Sequence, residues 1–137
     1  MNETLYIVIP CFNEEDVLRE TANRLDQKMK SMMAQGLIGE SSKVVFVDDG
    51  SKDKTWEIIK QLHTENNLFS GFSLSHNAGQ QKSLFAGMVT AKKYADIIVS
   101  MDADLQDDVD VMDKMVRAYY KGDDIVYGVR SSRKKDS

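Results

Sequence analysis

Asp102 and Asp104 stand two residues apart, with Gln106 two further on, directly after the apolar run Ile97-Ile98-Val99. Carboxylate and amide oxygens are what hard divalent cations take. A cation held by one or two protein carboxylates completes its shell with water and substrate phosphates. The spacing therefore points to Mg²⁺ or Mn²⁺ and to a nucleoside diphosphate. Side chains two apart in an extended segment leave on the same side, so Asp102 and Asp104 are expected to address one ligand. The pattern also arises by chance in acidic proteins, and this chain has a second copy, Asp108-Val109-Asp110. That copy falls where a helix should begin, and its carboxylates read as partners of the helix N-terminus.

Two more polar clusters follow apolar runs: Pro10 to Glu14, and Asp48-Asp49-Gly50-Ser51. Three other reactive types have plainer readings. Cys11 reads as a buried thiol without a redox role. His76, in the polar stretch Ser75 to Lys82, could touch a phosphate or an acceptor, although a loop histidine is by default solvent-facing. Lys82 could attract phosphate, although an exposed lysine is the default.

The elements that must position these groups are legible from periodicity. The continuous apolar run Leu5–Ile9 reads as a strand covered on both faces, and Lys43–Val47, Leu68–Leu74, Ile97–Val99 and Ile125–Tyr127 read as further strands. Between them, Val17, Thr21, Leu25, Met29 and Met32 form one helical face, with Asn13 as its expected N-cap. A second helix, capped by Ser51 or Asp53, turns Trp56, Ile59 and Leu62 inward. A third helix runs through Leu84, Phe85, Met88 and Ala91, and a fourth through Met112, Met115, Val116 and Tyr119. Gly36 and Gly39 end the first helix and Gly122 the fourth. Strands alternating with helices give an α/β domain with a largely parallel sheet. In such a sheet the three polar clusters emerge on one edge, where ligands bind. Carboxylates gathered there repel one another unless a cation or a donor-rich base sits among them.

The 137 residues fit one domain and one core. A net charge of −4 with dispersed basic residues argues against a nucleic-acid binder. One cysteine excludes an internal disulfide and fits a reducing compartment. No apolar run reaches the ~20 residues of a membrane helix, so the chain reads as soluble. Its polar end, residues 131–137, is expected to be a tail or a truncation point.

Five motifs in order, Val8 to Glu15, Val47-Asp-Asp-Gly-Ser51, Ser75-His-Asn-Ala-Gly79, Met101 to Asp107 and Val126-Tyr-Gly-Val-Arg130, resemble the family 2 glycosyltransferases. Their nearest likeness is to the branch that uses dolichol and other polyprenyl phosphates. The resemblance implies a single Rossmann-like nucleotide-diphospho-sugar transferase domain over residues 1–130, C-terminally truncated. It implies an inverting, metal-dependent transfer from a UDP- or GDP-sugar to a lipid phosphate or a glycan. Pro10 and Glu14 would lie beside the nucleoside, Asp48 would accept from the base edge, and Asp49 would support it and the turn. Asp102 and Asp104 would be the catalytic pair and, with Gln106, the metal ligands. Asp102 could also reach the ribose, and Arg130 would contact the diphosphate. No catalytic base stands out, Asp107 and Asp108 being the nearest candidates. The implied location is cytoplasmic or at the cytoplasmic membrane face, with membrane contact through segments beyond this chain. Two alternatives remain open: a donor-binding fragment inactive in transfer, and a Mg²⁺-dependent phosphoacceptor receiver domain. The second is disfavoured because receivers carry an acidic pair after their first strand and a lysine after their last.

Overall fold

In a computed structural model, residues 3–104 and 108–122 are described. The chain alternates strand and helix: β1 (Leu5–Cys11), α1 (Leu18–Ala34), β2 (Lys43–Asp48), α2 (Thr55–Glu65), β3 (Phe69–Ser73), α3 (Gln80–Lys92) and β4 (Ile97–Ser100). A 3₁₀ turn at Asp108–Val111 then leads into α4 (Met112–Tyr120). The expected fifth strand, Ile125–Tyr127, lies outside the described residues.

The four strands pair in parallel in the order β3-β2-β1-β4. This is the expected parallel α/β sheet. The chain winds outward from β1 to β3 and then crosses back to lay β4 on the other side of β1. The strand order therefore reverses at the β1/β4 boundary, a topological switch point, and in open α/β sheets ligands bind at the C-terminal edge there.

Both faces of the sheet are covered, as the unbroken apolar runs require. On one face Leu5, Ile7, Ile9, Val44, Phe46, Ile97 and Val99 pack with Leu18, Leu25, Met29 and Met32 of α1, Ile59 of α2 and Met112 and Val116 of α4. The methionines of α1 are core filling, as expected. On the other face Val8, Val45 and Val47 meet α3 through Ala91, with Leu84 and Met88 partly buried.

Helix α3 does not bury all the apolar residues that mark it in the sequence. Its buried residues are Ser83, Gly87 and Ala91, at four-residue spacing, while Phe85 is 69% exposed. The cause is distance. A Cβ at Gly87 would stand 2.4 Å from Val8 Cγ1 and 2.9 Å from Val47 Cγ2, so only small residues fit between helix and sheet. Reading apolarity alone selects the wrong face here. One expected cap is not formed, and another is settled between its two candidates. Asn13 does not cap α1, which begins at Leu18; it adopts a left-handed φ of 54° in the preceding loop. Ser51 does not cap α2. The Asp53 carboxylate instead takes the Thr55 N–H at 2.9 Å.

Candidate functional site

The loops after β1, β2 and β4 all lie at the C-terminal edge, and hydrogen bonds knit the first two together. Asn13 N–H donates to Ser51 Oγ at 2.8 Å and Lys52 N–H returns to Asn13 Oδ1 at 2.9 Å. One residue thus bridges two loops, which explains its left-handed backbone: Asn tolerates that region better than most residues. Next to it, Glu14 N–H donates to Thr55 Oγ1 at 2.7 Å, and Thr55 Oγ1 donates to Asp53 Oδ1 at 2.6 Å. Thr55 is fully buried. Asn13, Ser51, Asp53 and Thr55 are thus the scaffold under Pro10 and Glu14. Their polar types in the turns after two strands are the sequence signal for such a scaffold.

Asp48 and Asp49 are neighbours with different tasks. Both are almost fully buried. Asp48 Oδ1 accepts the Ser51 N–H at 3.3 Å and Oδ2 accepts Ser73 Oγ at 3.0 Å. Each oxygen retains a second lone pair for a further donor. Asp49 turns towards the loop after β3. Its Oδ1 accepts the Ala78 N–H at 2.7 Å and its Oδ2 the Gly79 N–H at 3.0 Å, just before α3 begins. A carboxylate there also faces the positive end of that helix. Gly50 lets the two loops touch: a Cβ on it would meet Asn77 N at 2.6 Å, and its φ is +72°.

After β4, buried and outward residues keep alternating. Met101 and Ala103 are buried, Asp102 is half-buried and Asp104 exposed. Met101 N–H still pairs with Val8 O at 3.1 Å, and Thr21 Oγ1 of α1 donates to Ala103 O. The acidic pair thus stays anchored although regular strand pairing ends at Ser100. Gln106, Asp107 and Arg130 lie outside the described residues. His76 and Lys82 are exposed. Cys11 is buried, with its Sγ 3.5 Å from Ile9 O, and burial pushes its thiol well above the usual range.

Glu14 reports the charge at this edge. Burial, then the negative charges of Asp104, Asp102 and Asp53, push its carboxyl up to about 7. Residues from the β1 and β4 loops therefore share one electrostatic neighbourhood across the switch point. Among the described residues no three acidic, histidine or cysteine side chains converge tightly enough to hold an ion by themselves. The donor set still fits a divalent cation of the Mg²⁺ or Mn²⁺ kind. Such ions are held by one or two carboxylates plus substrate phosphates, and the excess negative charge felt by Glu14 is of the sign a cation relieves.

The glycosyl transferase family 2 model matches residues 6–137. YkoT, an uncharacterized glycosyltransferase of Bacillus subtilis, is 47% identical over 133 residues, covering 97% of this chain and 40% of that protein. A bactoprenol glucosyl transferase of Shigella phage SfV is 33% identical over 133 residues, covering 95% of this chain and 40% of the phage protein. The chain spans about 40% of the length of these curated relatives. Among solved structures, Staphylococcus aureus TarS 1–349 in complex with UDP-GlcNAc aligns with a TM-score of 0.58 at 22% identity, over 74% of this chain and 26% of that one. The mannosyltransferase PcManGT from Pyrobaculum calidifontis, in complex with GDP-Man and Mn²⁺, aligns at 0.54 and 20% identity, over 85% and 32%. These structural likenesses are of fold. The family match leaves the receiver-domain alternative without support.

Proposed function

The chain belongs to glycosyl transferase family 2, and from that premise we propose that its C-terminal sheet edge holds a nucleotide-diphosphate sugar for an inverting transfer. The observation that supports this is that Glu14 feels the charge of Asp104 and Asp102, residues that follow two strands flanking the switch point. Pro10 and Glu14 flank the nucleoside, Asp48 offers its spare lone pairs to the base edge, and Asp49 holds the wall behind it. Asp102 and Asp104 are the ligands for Mg²⁺ or Mn²⁺, with Gln106 assisting, and Arg130 pairs with the diphosphate. A divalent ion bound there supplies Lewis-acid stabilisation of the departing diphosphate. The acidic pair fixes where that charge is neutralised, and the scaffold of Asn13 and Thr55 fixes the nucleoside relative to it. The relatives named bactoprenol glucosyl transferases favour a polyprenyl phosphate acceptor. Such an acceptor is already ionised and needs little help from a base, and it places the reaction at the cytoplasmic membrane face.

Calorimetry tests this reading. UDP or GDP is expected to bind in the presence of Mn²⁺ and to lose most of its affinity in EDTA. Asp104→Ala should remove the metal-dependent binding while the fold persists, since Asp104 is exposed at a sheet edge. Unchanged affinity in that variant refutes the metal assignment. The chain's share of its relatives' length, 40%, supports a second reading, in which these residues bind donor without completing transfer. Release of nucleoside diphosphate on adding a polyprenyl phosphate would exclude it.

A further inference from the structure

Residues 66–95 contain no aspartate or glutamate, where 22 acidic side chains in 137 residues would place about five. Lys82, Lys92 and Lys93 all fall in this stretch, in a chain of net charge −4. Helix α3 lies at its centre. Ser83, Gly87 and Ala91 press one side of the helix onto the sheet. The opposite side carries Lys82, Phe85, Val89, Lys92 and Lys93, related by steps of three and four residues. Phe85 is 69% exposed and Val89 46%. Just past the helix Tyr94 is 64% exposed, its ring stacked on Tyr6 at 6.0 Å and so held in place. The next carboxylate, Asp96, is turned to the Thr4 N–H at 2.8 Å.

Apolar residues bordered by lysines along one side of a helix form an interfacial arrangement. The rings and the valine enter the boundary of a bilayer and the ammonium groups meet anionic headgroups. We propose that this outward side of α3, with Tyr94, docks on an anionic lipid surface. Charge selects this occupant: in a protein of net charge −4, the stretch 66–95 that carries Phe85 and Val89 holds three lysines and no carboxylate, and Glu3 and Asp96, which interact with each other, lie past its C-terminal end. A second copy of the chain would bring lysine against lysine across a two-fold contact. The inference is independent of the donor reading, because no residue of the proposed nucleotide site takes part in it. A protein docked in this way holds the N-terminal end of α3, which lies at the same sheet edge as Asp49, close to the lipid headgroups.

The test is co-sedimentation of the full chain with vesicles of phosphatidylcholine alone or mixed with phosphatidylglycerol. Binding is expected only to the mixed vesicles, and less at high salt. Lys82→Gln/Lys92→Gln/Lys93→Gln should lower partitioning by on the order of a hundredfold, at about fivefold per charge, and Phe85→Ser/Val89→Ser should also lower it. These side chains are exposed, and unchanged melting curves will show that the variants fold. Replacing Arg133, Lys134 and Lys135 by Gln should leave binding intact; loss confined to that variant would assign docking to the tail and overturn the proposal. Equal binding to uncharged vesicles overturns it, as does a concentration-dependent dimer abolished by Phe85→Ser/Val89→Ser. In a Trp56→Phe background, Phe85→Trp should shift its emission to the blue on adding mixed vesicles, and an unmoved spectrum counts against docking.

Discussion

Glu14 shows how position changes a residue's chemistry. Its carboxyl, ordinarily at 4.5, is raised to about 7 by burial first and by Asp104, Asp102 and Asp53 after it. The folded chain therefore keeps a proton on Glu14 between roughly pH 4.5 and 7 that the unfolded chain gives up. The stability gained at low pH is lost as pH rises through 7. Glu14→Gln removes the charge that is penalised. Without ligand, the variant should match the parent at pH 4.5 and melt higher at pH 8. The full shift corresponds to roughly 3 kcal/mol, and partial solvent exposure reduces the expected gain to about 1–2 kcal/mol. Equal melting temperatures at pH 8 would sink this account of Glu14. Asp49 is a buried carboxylate held on one oxygen by the Ala78 N–H and on the other by the Gly79 N–H. Asp49→Ala strands both donors and should cost about 2–4 kcal/mol in urea unfolding. The acidic residues themselves were legible from their types and spacing. Their division of labour was not, because adjacent Asp48 and Asp49 differ only in which loop each one faces.

Among the elements, α3 separates pattern from packing most clearly. Glycine in a helix interior is normally unfavourable, and Gly→Ala is worth about 1 kcal/mol in an open position. At Gly87 the added methyl would meet the branched side chains of Val8 and Val47 on two central strands. Overpacking of this kind costs about 1–3 kcal/mol, so the sign reverses. Gly87→Ala should lower the urea midpoint without changing the slope. A rise in the midpoint would show that the helix can lift off the sheet. The other helices followed their apolar periodicity because Leu, Ile, Met and Val mark a face when there is space to fill. A close approach is made by small residues, which carry no hydrophobic signal, and it leaves Phe85 outside. Similarly, Asn13 was expected to cap α1 on local grounds, but a contact with Ser51, 38 residues away, claims it.

For the whole molecule, the parallel order β3-β2-β1-β4 makes one edge the meeting place of three loops. Ligand bound there contacts separate parts of the chain and should stabilise them together. UDP or GDP at about a hundredfold excess over its dissociation constant adds ~2.7 kcal/mol, raising the melting temperature by roughly 5–10 °C. Scanning fluorimetry should show the rise with Mn²⁺ and not with EDTA; a shift indifferent to the metal would separate nucleotide binding from Asp102 and Asp104. By itself the amino-acid order determined the four described strands, most helices, the parallel α/β class and the acidic residues after β1, β2 and β4. These depend on local periodicity and on side-chain chemistry. Only the tertiary structure decided that Glu14 senses Asp102 and Asp104, that Asp49 serves the loop before α3, and that α3 turns Phe85 to solvent. Each of these depends on distances between segments far apart in the chain, and such distances are set by how closely helices and sheet can pack.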